Sequence, residues 1–216
     1  MKTQFRDRKE AGELLAKKLA KYADRADVLV LALPRGGVPV GFAVAQRLHA
    51  PLDVLIVRKL GVPGQEELAM GAIATGGVLI LNARIVEAMQ VPSGAVDSVV
   101  ARERRELERR ELSYRGGRLA PAVQGRTVIL VDDGIATGST MRSAIAVMRR
   151  QRAHRIVVAT PTIAASTYRE MSGEADEVAA VLVPEDFFGV GQWYMDFSQT
   201  TDGEVQRLLD PAATPL

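Results

Sequence analysis

The stretch Val128-Ile-Leu-Val-Asp132-Asp133-Gly134-Ile-Ala136-Thr137-Gly138-Ser139-Thr140 constrains this chain more than any other. Four consecutive apolar residues suit a strand buried on both faces of a parallel sheet. Two adjacent carboxylates end that run. Past a short glycine and hydroxyl loop, Met141, Ala144, Ile145 and Met148 recur at helical spacing, so a helix begins near Gly138. A strand, a polar turn and a helix start form a phosphate cradle, because free N–H groups and the helix dipole both favour an anion. Thr137, Ser139 and Thr140 add hydroxyl donors. Asp132 and Asp133 can only accept, so they would repel a phosphate and suit sugar hydroxyls or a magnesium ion. The combination points to a phosphorylated sugar.

The rest of the chain alternates in the same way. An Asp7/Glu10 capping pair opens a first helix with Ala11, Leu14, Leu15 and Leu19 on its apolar face. Residues 28–33 read as a buried strand, 38–48 as a helix and 54–57 as a second strand. A glycine-bearing stretch, 61–71, precedes short apolar runs at 72–74 and 78–81. Helical patterns cover 83–89 and 94–114. Strand and helix recur at 127–131 with 138–152 and at 156–160 with 164–171. A last strand at 177–183 leads to a short terminal helix capped by Thr201 and Glu204. The fold class is therefore α/β, with a mostly parallel sheet, right-handed crossovers and sites at the strands' carboxyl ends. With 216 residues and no Ser/Gly/Pro-rich linker, the chain reads as one domain over 1–216.

Two more segments fall at strand ends. In Leu33-Pro34-Arg35-Gly36-Gly37-Val38, adjacent glycines admit close backbone approach to a ligand, and Arg35 offers donors suited to phosphate oxygens. In Val57-Arg58-Lys59-Leu-Gly61-Val-Pro63-Gly64-Gln-Glu66-Glu67, two cations end the second strand and a mobile loop follows. The aromatics are only 5% of the chain, yet Phe187, Phe188, Trp193, Tyr194 and Phe197 crowd one segment. Rings beside Gly189 and Gly191 suit stacking on a planar base, or packing as a small subdomain.

Asp132-Asp133-Gly-Ile-Ala-Thr-Gly-Ser-Thr resembles the phosphoribosyl pyrophosphate (PRPP) motif of type I phosphoribosyltransferases. The resemblance spans about residues 28–183 and implies a five-stranded, mostly parallel sheet with helices on both faces and a small hood, here 184–216. It implies that Asp132 and Asp133 bind the ribose hydroxyls, with Mg²⁺ held directly or through water, and that Ala136, Thr137, Gly138, Ser139 and Thr140 hold the 5′-phosphate. The Arg35-Gly36-Gly37 segment is similar to the family's pyrophosphate loop, for which a cis peptide at Pro34–Arg35 is expected. Arg58 and Lys59 resemble the cations and flexible lid of adenine- and orotate-type members. The hood would carry acceptor recognition through Phe188, Trp193 and Tyr194. The implied reaction moves 5-phosphoribosyl between PRPP–Mg²⁺ and a nitrogenous base, with Asp132, Asp133, Arg58 and Lys59 as the catalytic set. Hypoxanthine-guanine enzymes place an acidic residue where this chain has Ala136, so a 6-oxopurine acceptor is disfavoured and no general base is identified.

Other classes fit less well. Gly134 and Gly138 are too close for a nucleotide P-loop, and no lysine precedes Ser139 or Thr140. Without cysteine, disulfides and thiolate metal sites are excluded. Neither His49 nor His154 has a metal-spaced partner. No apolar run reaches the roughly 18 residues of a membrane span, and the first ten residues lack a signal peptide's apolar core, so a cytoplasmic location is expected. In the arginine-rich segment 101–115, Glu106 with Arg110 and Glu111 with Arg115 form favourable helical pairs that compensate much of its charge. Val100, Leu107 and Tyr114 make a seam for the core or for a second subunit of a homodimer. A PRPP-binding regulator that grips nucleic acid through this segment is the alternative reading, and a sugar-phosphate hydrolase is a third.

Overall fold

The computed structural model describes residues 4–210; the remaining ends of the expected 1–216 domain lie outside them. Five parallel strands form the central sheet: β1 (Val28–Ala32), β2 (Leu52–Val54), β6 (Thr127–Val131), β7 (Arg155–Thr162) and β8 (Glu177–Leu182), in the order β2-β1-β6-β7-β8. Strands β1 and β6 are buried at every position and lie side by side, with Val28 opposite Thr127 and Ala32 opposite Val131. Alternation sorts their side chains. Leu29, Leu31, Val128 and Leu130 face α5 (Ser139–Arg150), meeting Met141, Ile145 and Met148. Val28, Val30, Ile129 and Val131 face the other way, onto Leu15 and Leu19 from the α1 (Arg8–Lys18) region and Val40, Val44 and Leu48 of α2 (Gly37–Leu48). The sheet is thus covered on both faces, as continuous apolar strands require.

A second sheet departs from the sequence expectation. Strands β3 (Val57–Val62), β4 (Gln65–Ala74) and β5 (Val78–Leu81) form an antiparallel meander. The expected strand 54–57 is divided: β2 stops at Val54, and β3 starts at Val57 in the other sheet. Leu55 packs in the central core while Ile56 packs beneath the meander, so the chain crosses between sheets in two residues. Arg58 and Lys59 consequently sit inside β3 and do not end a central strand. The expected mobile loop 61–67 forms the turn of the β3–β4 hairpin, with Val62 opposite Gln65 across Pro63-Gly64. Pro fixes the first central turn position and Gly64 takes φ +80 at the second, a type II pattern. Gly61 is required by crowding, because a Cβ there would lie 2.5 Å from the Glu66 carbonyl oxygen.

The meander's apolar face is covered by α4 (Ser93–Arg115), which follows the short α3 (Ala83–Ala88), and α7 (Asp202–Leu208) packs in turn against α4 and α2. Leu107 and Tyr114 are buried there, with Val100 packed at the edge, so the heptad seam is used within the chain. Arg115, also buried, donates to both Asp53 oxygens and to the Val54 carbonyl, bracing the edge strand β2. Both expected caps are present: Asp7 accepts from the Glu10 amide at 2.8 Å, and Thr201 from the Glu204 amide at 3.2 Å. Helix α6 (Ala165–Met171) joins β7 to β8.

Candidate active site

Three segments converge at the carboxyl ends of β1 and β6. Leu33 donates its amide to the Val131 carbonyl, and Gly37 donates to that of Leu33, drawing the glycine loop over the acidic pair. A Cβ on Gly36 would lie 2.0 Å from Asp133 Oδ2, and one on Gly37 would lie 2.7 Å from the Val131 carbonyl oxygen. Only glycine fits at either place. The Pro34–Arg35 peptide is cis, as expected.

Asp132 and Asp133 each have one oxygen engaged. Asp132 Oδ1 accepts from the Asp133 amide at 2.9 Å. Asp133 Oδ2 accepts from Arg8 Nε at 2.8 Å. The other oxygen of each carboxylate has no donor among the described residues. Burial and the adjacent Asp133 charge push the Asp132 carboxyl well above the usual carboxylate range.

Gly138, at φ +74, caps α5, and a side chain there would strike Met171 and Thr167. Two side chains tie back the loop's carbonyl oxygens. Thr167 Oγ1 donates to the Ala136 carbonyl at 2.5 Å, and Arg142 Nη1 to that of Thr137 at 2.6 Å. Arg142 is itself fixed by Glu170 and Glu174. The amides from Ala136 to Met141 have no acceptor among the described residues. This loop, Asp132, Gly134 and Val190 surround a cavity of about 170 Å³, large enough for a phosphate group. Thr137, Ser139 and Thr140 line it.

The remaining expected residues divide. Arg35 lies on the glycine loop but turns to Asp202, 3.8 Å away. Arg58 makes a forked contact with Glu103 of α4, at 2.9 and 2.6 Å. Lys59 meets Glu67 across the hairpin at 3.2 Å. These cations are in ion pairs and outside the lining of the phosphate cavity. Tyr194 is not a base-stacking surface. Its ring, only 4% exposed, is packed between Phe5 and Phe197, and its hydroxyl donates to the Asp133 carbonyl at 2.6 Å. Burial and the Asp133 charge raise its pKa. Phe188 is 91% exposed, so the fold does not hold it against the site. Trp193 packs near Phe187, and its indole N–H is buried with no acceptor among the described residues.

Four contributors escape a sequence reading. Arg8 and Val190 arrive from distant segments; a Cβ on Gly134 would lie 2.2 Å from Val190, which marks how closely the hood covers the acidic loop. Thr167 and Arg142 act through backbone carbonyls. An arginine in the first turn of a helix opposes the dipole, so Arg142 carries the one local signal. No group of three or more His, Cys, Asp or Glu among the described residues is placed to hold a metal ion. Four of the six arginines in α4 are in ion pairs, which removes much of the basic stripe a nucleic acid would need. No helix of the described residues is long and apolar enough to cross a membrane.

The chain is similar to several known proteins. The phosphoribosyl transferase domain model matches residues 3–197. A Mycobacterium tuberculosis protein provisionally named a phosphoribosyl transferase is 48% identical over 208 residues, 96% of this chain and 47% of its own length. The chain thus spans about half the length of that relative. The bifunctional protein PyrR of Brevibacillus brevis is 32% identical over 108 residues, 48% of this chain and 59% of that protein. The crystal structure of a Thermus thermophilus protein, TT1426, superimposes with a TM-score of 0.85 at 42% identity, covering 95% of this chain and 97% of that one.

Proposed function

Because the chain belongs to the phosphoribosyl transferase domain family, we propose that it transfers 5-phosphoribosyl between PRPP and a nitrogenous base. One observation carries this reading: a cradle of unpartnered amides abuts two carboxylates that each keep one free oxygen among the described residues. The amides, the Thr137, Ser139 and Thr140 hydroxyls and the α5 N-terminus would take the 5′-phosphate. The free oxygens of Asp132 and Asp133 would accept from the ribose hydroxyls. The Gly36-Gly37 backbone would lie along the pyrophosphate, where a side chain would block it.

Asp132 and Asp133 would hold, directly or through water, a magnesium ion that arrives on the substrate, as hard carboxylate oxygens suit that cation. That ion would neutralise charge on the pyrophosphate. In the transfer, the C1–pyrophosphate oxygen bond breaks with its electron pair leaving on pyrophosphate. The base nitrogen then forms the C1–N bond and releases its proton. Catalysis of this kind is positioning and electrostatics. Arg35, Arg58 and Lys59 would assist the leaving group after exchanging their present carboxylate partners for it.

The test is a panel of purine and pyrimidine bases with PRPP–Mg²⁺, read by pyrophosphate release and nucleotide formation. Base-dependent pyrophosphate release is expected. Phosphate release without any base would replace the transferase by a hydrolase.

A further inference from the structure

The acidic pair is clamped from outside its own loop. Arg8 is the first residue of α1, and its side chain is only 11% exposed. Its Nε donates to Asp133 Oδ2 at 2.8 Å, while Nη1 donates to the Ser198 carbonyl at 2.7 Å. The guanidinium carbon lies 4.1 Å from the centre of the Phe197 ring, so the fork is sandwiched between the acid and the hood. Tyr194, also of the hood, donates to the Asp133 carbonyl. Gly36 packs against the Asp133 carboxylate, where a Cβ would lie 2.0 Å from Oδ2. Rotation of the Asp133 carboxylate thus breaks the Arg8 bond.

We propose that Arg8 is a positioning residue: by fixing Asp133 Oδ2, it presents the remaining oxygen to a ribose hydroxyl and couples that presentation to the docked hood. This rests on the transferase reading above. A planar guanidinium suits the task because one group spans a carboxylate and a carbonyl in fixed directions. A lysine ammonium keeps the charge but cannot hold both at this geometry.

Two probes separate a positioning role from general damage. Inorganic phosphate engages only the amide cradle, whereas ribose 5-phosphate also engages the acidic pair. Their difference in affinity is the ribose increment. Titration calorimetry on wild type, Arg8→Lys and Arg8→Met should give unchanged phosphate affinity in all three. The ribose increment should fall about tenfold in Arg8→Met and by an intermediate amount in Arg8→Lys, and PRPP–Mg²⁺ affinity should follow it. An undiminished increment in Arg8→Met overturns the proposal. So does a parallel loss of phosphate affinity, because the arginine would then be holding the fold. A wild type with no ribose increment refutes the ribose assignment of the acidic pair, and the positioning role goes with it.

Discussion

Asp132 is costly where it stands. Its carboxyl is raised above the usual 3.8 by burial first and by the Asp133 charge second. The folded chain therefore binds this proton more tightly than the unfolded chain does. Stability from the group is fully present below pH 3.8 and is lost as the pH rises through the raised value. Asp132→Asn keeps an Oδ1 acceptor for the Asp133 amide and removes the buried charge. At pH 7 it should raise Tm by roughly 2–4 °C, equivalent to about 1 kcal/mol in a chain of this size, while weakening PRPP binding. Thermal unfolding across pH checks the sign, since the gain should vanish below about pH 4. A gain of equal size at about pH 3 would mean that charge burial is not its source.

Among the elements, the two loops at the ends of β1 and β6 are legible because each is contiguous: the residues that make the site follow one another in the chain. The hairpin is not. Its Pro63-Gly64 turn is visible, but Glu66 and Glu67 flank it where alternating apolar residues would announce a strand. Register shifts around Gly61 interrupt the two-residue period as well. An expectation of Arg58 and Lys59 at the end of a central strand follows from that missing signal. The hood's rings are legible as a cluster but not by role, because burial of Tyr194 depends on Phe5, far away in sequence. A functional division between the two elements is testable. If the hairpin serves the leaving group, Lys59→Ala should lower kcat several-fold with every base alike. Trp193→Ala should instead reorder the bases by kcat/KM while leaving PRPP affinity nearly unchanged. A reordering produced by Lys59→Ala alone would exchange the two assignments.

Across the whole molecule, stability rests on a sheet loaded from both sides. Leu130 packs toward α5 and Ile129 toward α1 and α2, and both are fully buried. Leu130→Ala and Ile129→Ala should each cost about 2–5 kcal/mol and lower Tm by roughly 5–15 °C. Calorimetry should show one transition in each case, because the mutated strand is shared by both layers. A second transition would reveal layers that melt separately.

The contact of Phe5 with Tyr194, and of Arg8 with both Asp133 and Ser198, has a consequence in time. During synthesis the acidic pair leaves the ribosome well before Ser198 does, by several seconds at roughly 5–20 residues per second. Throughout that interval Arg8 can meet Asp133, but it has no hood to brace against. A chain terminated after β8 but before Tyr194 would retain the residues of the phosphate cradle and lack the second half of the clamp. Emergence of the hood, long after that of the cradle, is therefore the event that completes the site.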